Sequence, residues 1–147
     1  MKLSTRSRYG LRAMLVLAMH EGEAPMMTKE IAEKQNLPAT YLEQLMLSLR
    51  NAGLVTATRG AKGGYVLARK SDSISLAQII EALEGTLDIA DCADVPSCCL
   101  DPDACALKDV FDKANNALRN VFDQVSLAEL ADRQRERENS CAGMYVI

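Results

Sequence analysis

The sequence predicts a mostly α-helical protein with one small β-hairpin, a winged helix-turn-helix domain followed by a long helix that pairs two chains. Three observations lead there. A short helix, a tight turn and a longer amphipathic helix follow one another over residues 28–52, which is the helix-turn-helix pattern. A Gly-rich, basic hairpin comes directly after them, over residues 54–69. Further on, Leu107, Val110, Phe111, Ala114, Leu118, Val121, Phe122 and Val125 recur at spacings of three and four. A lone helix cannot bury such a stripe and needs a partner.

Residues 5–19 form the first predicted helix. Leu11, Met14, Leu15, Ala18 and Met19 make one apolar stripe along it. It runs out at Glu21-Gly-Glu-Ala-Pro25, and His20, the only histidine, sits at its negative pole, where it is favourable without any ligand role. Thr28 is the expected N-cap of the short helix over 29–35. Asn36-Leu37 makes the turn, and Pro38 suits the first turn of the next helix. That helix reaches about Ala52, with Gly53 as its C′ residue and Leu42, Leu45, Met46 and Leu49 as its stripe.

Leu54–Thr58 and Tyr65–Arg69 read as two strands around the tip Arg59-Gly-Ala-Lys-Gly-Gly64. Ser75-Leu-Ala-Gln78 has the form of a capping box and opens a helix with the stripe Leu76, Ile79, Ile80 and Leu83. Gly85 ends it. The long helix begins at Ala106, and a second capping box, Ser126-Leu-Ala-Glu129, predicts a break and restart. Residues 132–140 are almost wholly polar and are expected to fray. The domain division is therefore 1–84 for DNA binding, 85–105 for a cysteine-rich loop, 106–131 for dimerisation and 132–147 for a flexible tail.

The chain has 147 residues, 48% of them hydrophobic and 25% charged, an ordinary composition for one compact domain with an appendage. Its net charge of −3 hides an asymmetry. Residues 1–70 carry 11 Lys or Arg against 5 Asp or Glu, while residues 71–147 carry 6 against 15. The basic front half suits nucleic acid. The opening residues carry no apolar signal core, and no apolar run approaches the ~20 residues of a membrane span. A cytoplasmic protein with no membrane contact is expected. No nucleophile–base pair, P-loop or dinucleotide fingerprint is present, which argues against an enzyme.

The DNA-contact candidates follow from the elements. Ala39, Thr40, Glu43 and Gln44 lie off the apolar stripe at the start of the longer helix, where recognition helices meet bases. Gln44 suits adenine, Thr40 either base type and Glu43 the cytosine amine. A carboxylate among phosphates is costly without that cytosine, so Glu43 also rejects wrong sequences. The plainer reading of Glu43 is a surface helix former. Arg59 and Lys62 at the wing tip suit phosphates or a narrow minor groove. The plainer reading is a hairpin whose basic tip deters edge pairing.

Four of the five cysteines, Cys92, Cys98, Cys99 and Cys105, fall within 14 residues. Cytosolic thiols stay reduced, so a metal site is expected before a disulfide framework. Structural zinc usually takes C-x2–4-C pairs. The longer outer gaps here favour an iron–sulfur cluster held by three separated thiolates and a fourth ligand from elsewhere. Zinc is the second choice and inert reduced cysteines the third.

The opening Met1–Met14, the segment Tyr41-Leu-Glu-Gln-Leu45, the wing Arg59-Gly-Ala-Lys-Gly-Gly-Tyr65 and the late cysteine loop together resemble the IscR-type winged-helix regulators, over roughly residues 1–135. The resemblance implies a homodimer joined by the long helix on pseudo-palindromic promoter DNA. It implies an iron–sulfur cluster, 2Fe–2S ahead of 4Fe–4S, whose loading changes which DNA is bound. It implies mainly repression, most directly of cluster biogenesis genes, with nitric oxide, redox or zinc–thiol sensing as the alternative. By position, Thr40 and Glu43 match the family's recognition-helix contacts and Arg59 its wing arginine; Gln44, Lys62 and Tyr41 complete the DNA-contact candidates. Cys92, Cys105 and Cys98, with Cys99 as alternate, match the cluster ligands. The family's biogenesis regulators carry a histidine ligand where this chain has Lys108, and some nitric oxide sensors use an aspartate in the region of Arg6 and Arg8. The fourth ligand is therefore open among the spare cysteine, Lys108, Asp91, Asp103 and a residue of the partner chain.

Overall fold

The computed structural model describes residues 3–89 and 105–143; Cys92, Cys98, Cys99, Asp91, Asp103 and residues 144–147 lie outside the described residues. Helices α1 (Thr5–Met19), α2 (Thr28–Gln35) and α3 (Ala39–Asn51) precede an antiparallel hairpin of β1 (Val55–Thr58) and β2 (Gly64–Leu67). A 3-10 turn at Ser71–Ser73 leads into α4 (Leu76–Glu84), and α5 (Ala106–Asp123) and α6 (Leu127–Gly143) follow. The mostly α fold with a winged helix-turn-helix is as expected.

Helix α1 is the centre of the fold. Its buried residues include Ala13, Met14, Val16, Leu17 and Ala18, whereas Leu11, Leu15 and Met19 are only half-buried. The single predicted stripe is thus too narrow. The reason is that α2, α3, α4 and α6 all pack on α1, so burial runs most of the way around it. Gly10 permits one of these crossings. A Cβ there would meet Leu83 Cδ1 of α4 at 2.2 Å.

Elsewhere local signals hold. The stripe Leu42, Leu45, Met46 and Leu49 of α3 is the buried set. Gly53, at φ +71°, donates to the Arg50 carbonyl, and Leu54 N–H donates to the Leu49 carbonyl, a Schellman end. Ser75 Oγ accepts from Gln78 N–H while Gln78 Oε1 accepts from Ser75 N–H, closing the expected capping box on α4. One cap differs. Met27 rather than Thr28 precedes α2, and its N–H donates to Glu30 Oε2 at 2.7 Å. The acidic side chain reaching back satisfies the orphan amide, so Thr28 enters the first turn.

The C-terminal third departs most. The break at Ser126 is present, with Ser126 Oγ accepting from Glu129 N–H. Residues 132–140, expected to fray, instead continue α6, which runs to Gly143. Leu127 and Ala131 are buried in the main core beside α1, and Arg135 donates to the Ala18 and Met19 carbonyls at the end of α1. A cation at a helix C-terminus is favourable, and Arg133–Glu129 and Gln134–Glu138 pairs support the exposed face. Helix α5 has no buried residue. Phe122 packs on a small cluster of Ala77, Ile80 and Leu87, while Leu107, Val110 and Val121 are 63%, 60% and 58% exposed. Phe111, Ala114, Leu118, Phe122 and Val125 are half-buried, so among the described residues the stripe is only partly covered.

Candidate nucleic-acid interface and cysteine segment

The helix-turn-helix is held by contacts from α1. Asn36 adopts the left-handed conformation at φ 51°, which a short polar side chain tolerates, and Leu37 N–H donates to the Ala32 carbonyl. Arg12 grips the end of α2, donating from Nε to Gln35 Oε1 at 2.8 Å and from Nη2 to the Gln35 carbonyl at 2.6 Å. Arg6 Nη2 donates to Ser48 Oγ of α3 at 2.6 Å. Two arginines of the basic front half thus position helices by direct bonds within the chain. Tyr41 has a related part. It is half-buried, with its ring edge-on to Tyr9 at 5.9 Å between centroids, an arrangement that fixes α3 against α1.

Thr40, Glu43 and Gln44 are all exposed on the outer side of α3, opposite the buried stripe. Glu43 also lines a shallow groove with Thr28 and Lys29 at the start of α2, and with Thr58, Gly60 and Tyr65 of the hairpin. The groove joins α3 to the hairpin. Arg59 and Lys62 are exposed, and among the described residues neither forms an ion pair. Both are thereby available to phosphates.

The wing is anchored by a contact that sequence reasoning missed. Strands β1 and β2 pair from Val55–Leu67 to Thr58–Gly64. Met26 then bridges β2, its N–H donating to the Tyr65 carbonyl at 3.0 Å and its carbonyl accepting from Tyr65 N–H at 2.7 Å. Gly64 allows this approach, because a Cβ there would lie 2.4 Å from the Met26 carbonyl carbon and oxygen. A glycine run permits close approach of another backbone, but nothing local points to Met26.

Described residues flank the cysteine segment on both sides. Before it, the last residue of α4, Glu84, accepts from Ser4 N–H at the start of α1 at 2.9 Å, and Leu87 remains buried beside α4. Hydrogen bonding from Ser4 holds the Glu84 carboxyl below the usual carboxylate range. After the segment, Cys105 is half-buried at the N-cap of α5, and its carbonyl accepts from Lys108 N–H at 3.1 Å. Among the described residues no three His, Cys, Asp or Glu side chains come together as an ion-holding group. The soft sulfur donors at 92, 98, 99 and 105 fit an iron–sulfur cluster or zinc by their chemistry, with Cys105 as the described member. No described helix is long and apolar enough to cross a membrane.

Comparison with known proteins agrees with this architecture. A family model described as Rrf2, iron-dependent transcriptional regulator, matches residues 3–133. Protein rrf2 of Nitratidesulfovibrio vulgaris is 38% identical over 142 residues, covering 96% of this chain and 95% of that one. The structure of CymR, the global cysteine regulator of B. subtilis, superposes with a TM-score of 0.78 at 40% identity, covering 90% of this chain and 98% of that one. The structure of T. potens IscR gives a TM-score of 0.75 at 39% identity, covering 93% and 90%.

Proposed function

Because the chain belongs to the Rrf2 family of transcriptional regulators, which are not enzymes, we propose that it binds pseudo-palindromic promoter DNA as a homodimer and acts mainly as a repressor governed by an iron–sulfur cluster. The observation that carries the DNA part is the outward face of α3, with Thr40, Glu43 and Gln44 exposed beside the basic wing. Such a face reads base edges while Arg59 and Lys62 engage the backbone. The exposed part of the α5 stripe supplies the surface that a second copy covers.

Cys92, Cys105 and one of Cys98 and Cys99 would hold the cluster, which we assign as 2Fe–2S, with Lys108 among the candidates for the fourth position. When bound, an iron–sulfur cluster supplies a redox-active centre whose occupancy follows iron, oxygen or nitric oxide. The chain's own residues connect that segment to the reading head. Glu84 holds Ser4, and α1 holds α3 through Arg6–Ser48 and Tyr9–Tyr41. Cluster biogenesis genes are the assigned targets.

A second reading is favoured by the likeness to the global cysteine regulator CymR: a thiol- or zinc-based repressor on the same scaffold. Purification without air separates the two. Iron and sulfide in comparable amounts, with visible charge-transfer bands, support the cluster, and Cys92→Ala should remove both while the circular dichroism stays helical. A colourless, zinc-binding protein supports the thiol reading and overturns the cluster.

A further inference from the structure

We propose that Leu47 is a fourth base-reading residue of α3, recognising the C5-methyl group of a thymine in the major groove; this rests on the assignment of α3 as the reading helix. Leu47 is 45% exposed, while Leu45, Met46 and Leu49 around it are wholly buried. A single exposed leucine is ordinary on a protein surface, so its direction decides the matter. At about 100° per residue, Leu47 points between Glu43 and Thr40. It lies near the middle of the outer arc and roughly opposite the centre of the buried stripe Leu42, Leu45, Met46 and Leu49.

Thr40, Glu43, Gln44 and Leu47 thus stand at i, i+3, i+4 and i+7, the spacing by which a homeodomain helix reads its groove. Seven residues rise about 10 Å, comparable to the ~12 Å width of the major groove. Within that groove the base edges present donors, acceptors and one apolar group, the thymine methyl. An apolar side chain in the middle of a polar reading arc has that methyl as its complementary partner. Leu47 therefore adds a preference for thymine beside the bases read by Thr40, Glu43 and Gln44, and the burial of one methyl gives it a modest size.

The test uses the full-length protein. An operator is selected by the wild type from a randomised duplex pool, and each thymine is then replaced by deoxyuridine, which removes only the methyl. One position per half-site should weaken wild-type binding on the order of fourfold at fixed salt. Leu47→Ala, which truncates a half-exposed side chain, should bind the unmodified operator correspondingly less well and be indifferent to that replacement. The proposal fails if no thymine is sensitive, if Leu47→Ala keeps the sensitivity, or if Thr40→Ser alone abolishes it, which would give the methyl to Thr40. Failure of the wild type to select any duplex would instead overturn the DNA-reading assignment of α3.

Discussion

Replacing Gly64 by alanine should detach the wing from the body of the protein, and Gly60 supplies the control. Both glycines have positive φ, +153° and +112°. A Cβ at Gly60 meets nothing within 4 Å, whereas at Gly64 it would lie 2.4 Å from Met26 backbone atoms and 2.9 Å from the Met26 nitrogen. Backbone cannot swing aside as a side-chain tip can. Gly60→Ala should therefore cost only the conformational strain, about 1 kcal/mol. Gly64→Ala adds the two Met26–Tyr65 hydrogen bonds, each about 1 kcal/mol, for a total near 3 kcal/mol. With a urea slope of ~1–3 kcal/mol per molar, the midpoint should fall by roughly 1–3 M. If the hairpin instead lets go locally, the midpoint holds and operator affinity drops. Urea titration followed by circular dichroism, paired with DNA titration at fixed salt, reads both. Gly64→Ala matching Gly60→Ala in midpoint and in affinity would refute the anchoring role of Met26.

Three further perturbations test other parts. Arg59→Ala should weaken operator binding by about 1–3 kcal/mol, and unchanged affinity at fixed salt would remove the wing from the interface. Val110→Glu, on the exposed part of the α5 stripe, should shift sedimentation towards the monomer with little change in helical content; a variant that sediments like wild type would show that α5 does not pair the chains. Glu84 has a lowered folded pKa, so its contribution to stability is present above the ordinary carboxylate range and is lost as pH falls through the lower folded value. Glu84→Gln should accordingly flatten the acid side of the stability curve, and an unaltered slope between about pH 6 and pH 3 would contradict the Ser4–Glu84 contact.

Local chemistry by itself determined the order of the elements and most of their ends. The α3 stripe, the Gly53 terminus, the Ser75–Gln78 capping box and the basic hairpin tip each depend on residues within a turn or two of one another, so spacing and side-chain type suffice to read them. The exposed candidates Thr40, Glu43 and Gln44 follow from the same periodicity, because the outer arc of a helix is what its buried stripe leaves over. Tertiary structure decided which groups meet across long separations. It wrapped α1 on several sides, turned the polar end of the chain into α6 by giving Arg135 the carbonyls of Ala18 and Met19, and set Met26 against Tyr65. It also tied Arg6 to α3 and Arg12 to α2, although the charge count treats them like any other surface cations. Those pairings arise only when helices distant in sequence pack together, and periodicity along one helix reports which face is apolar without saying what will cover it.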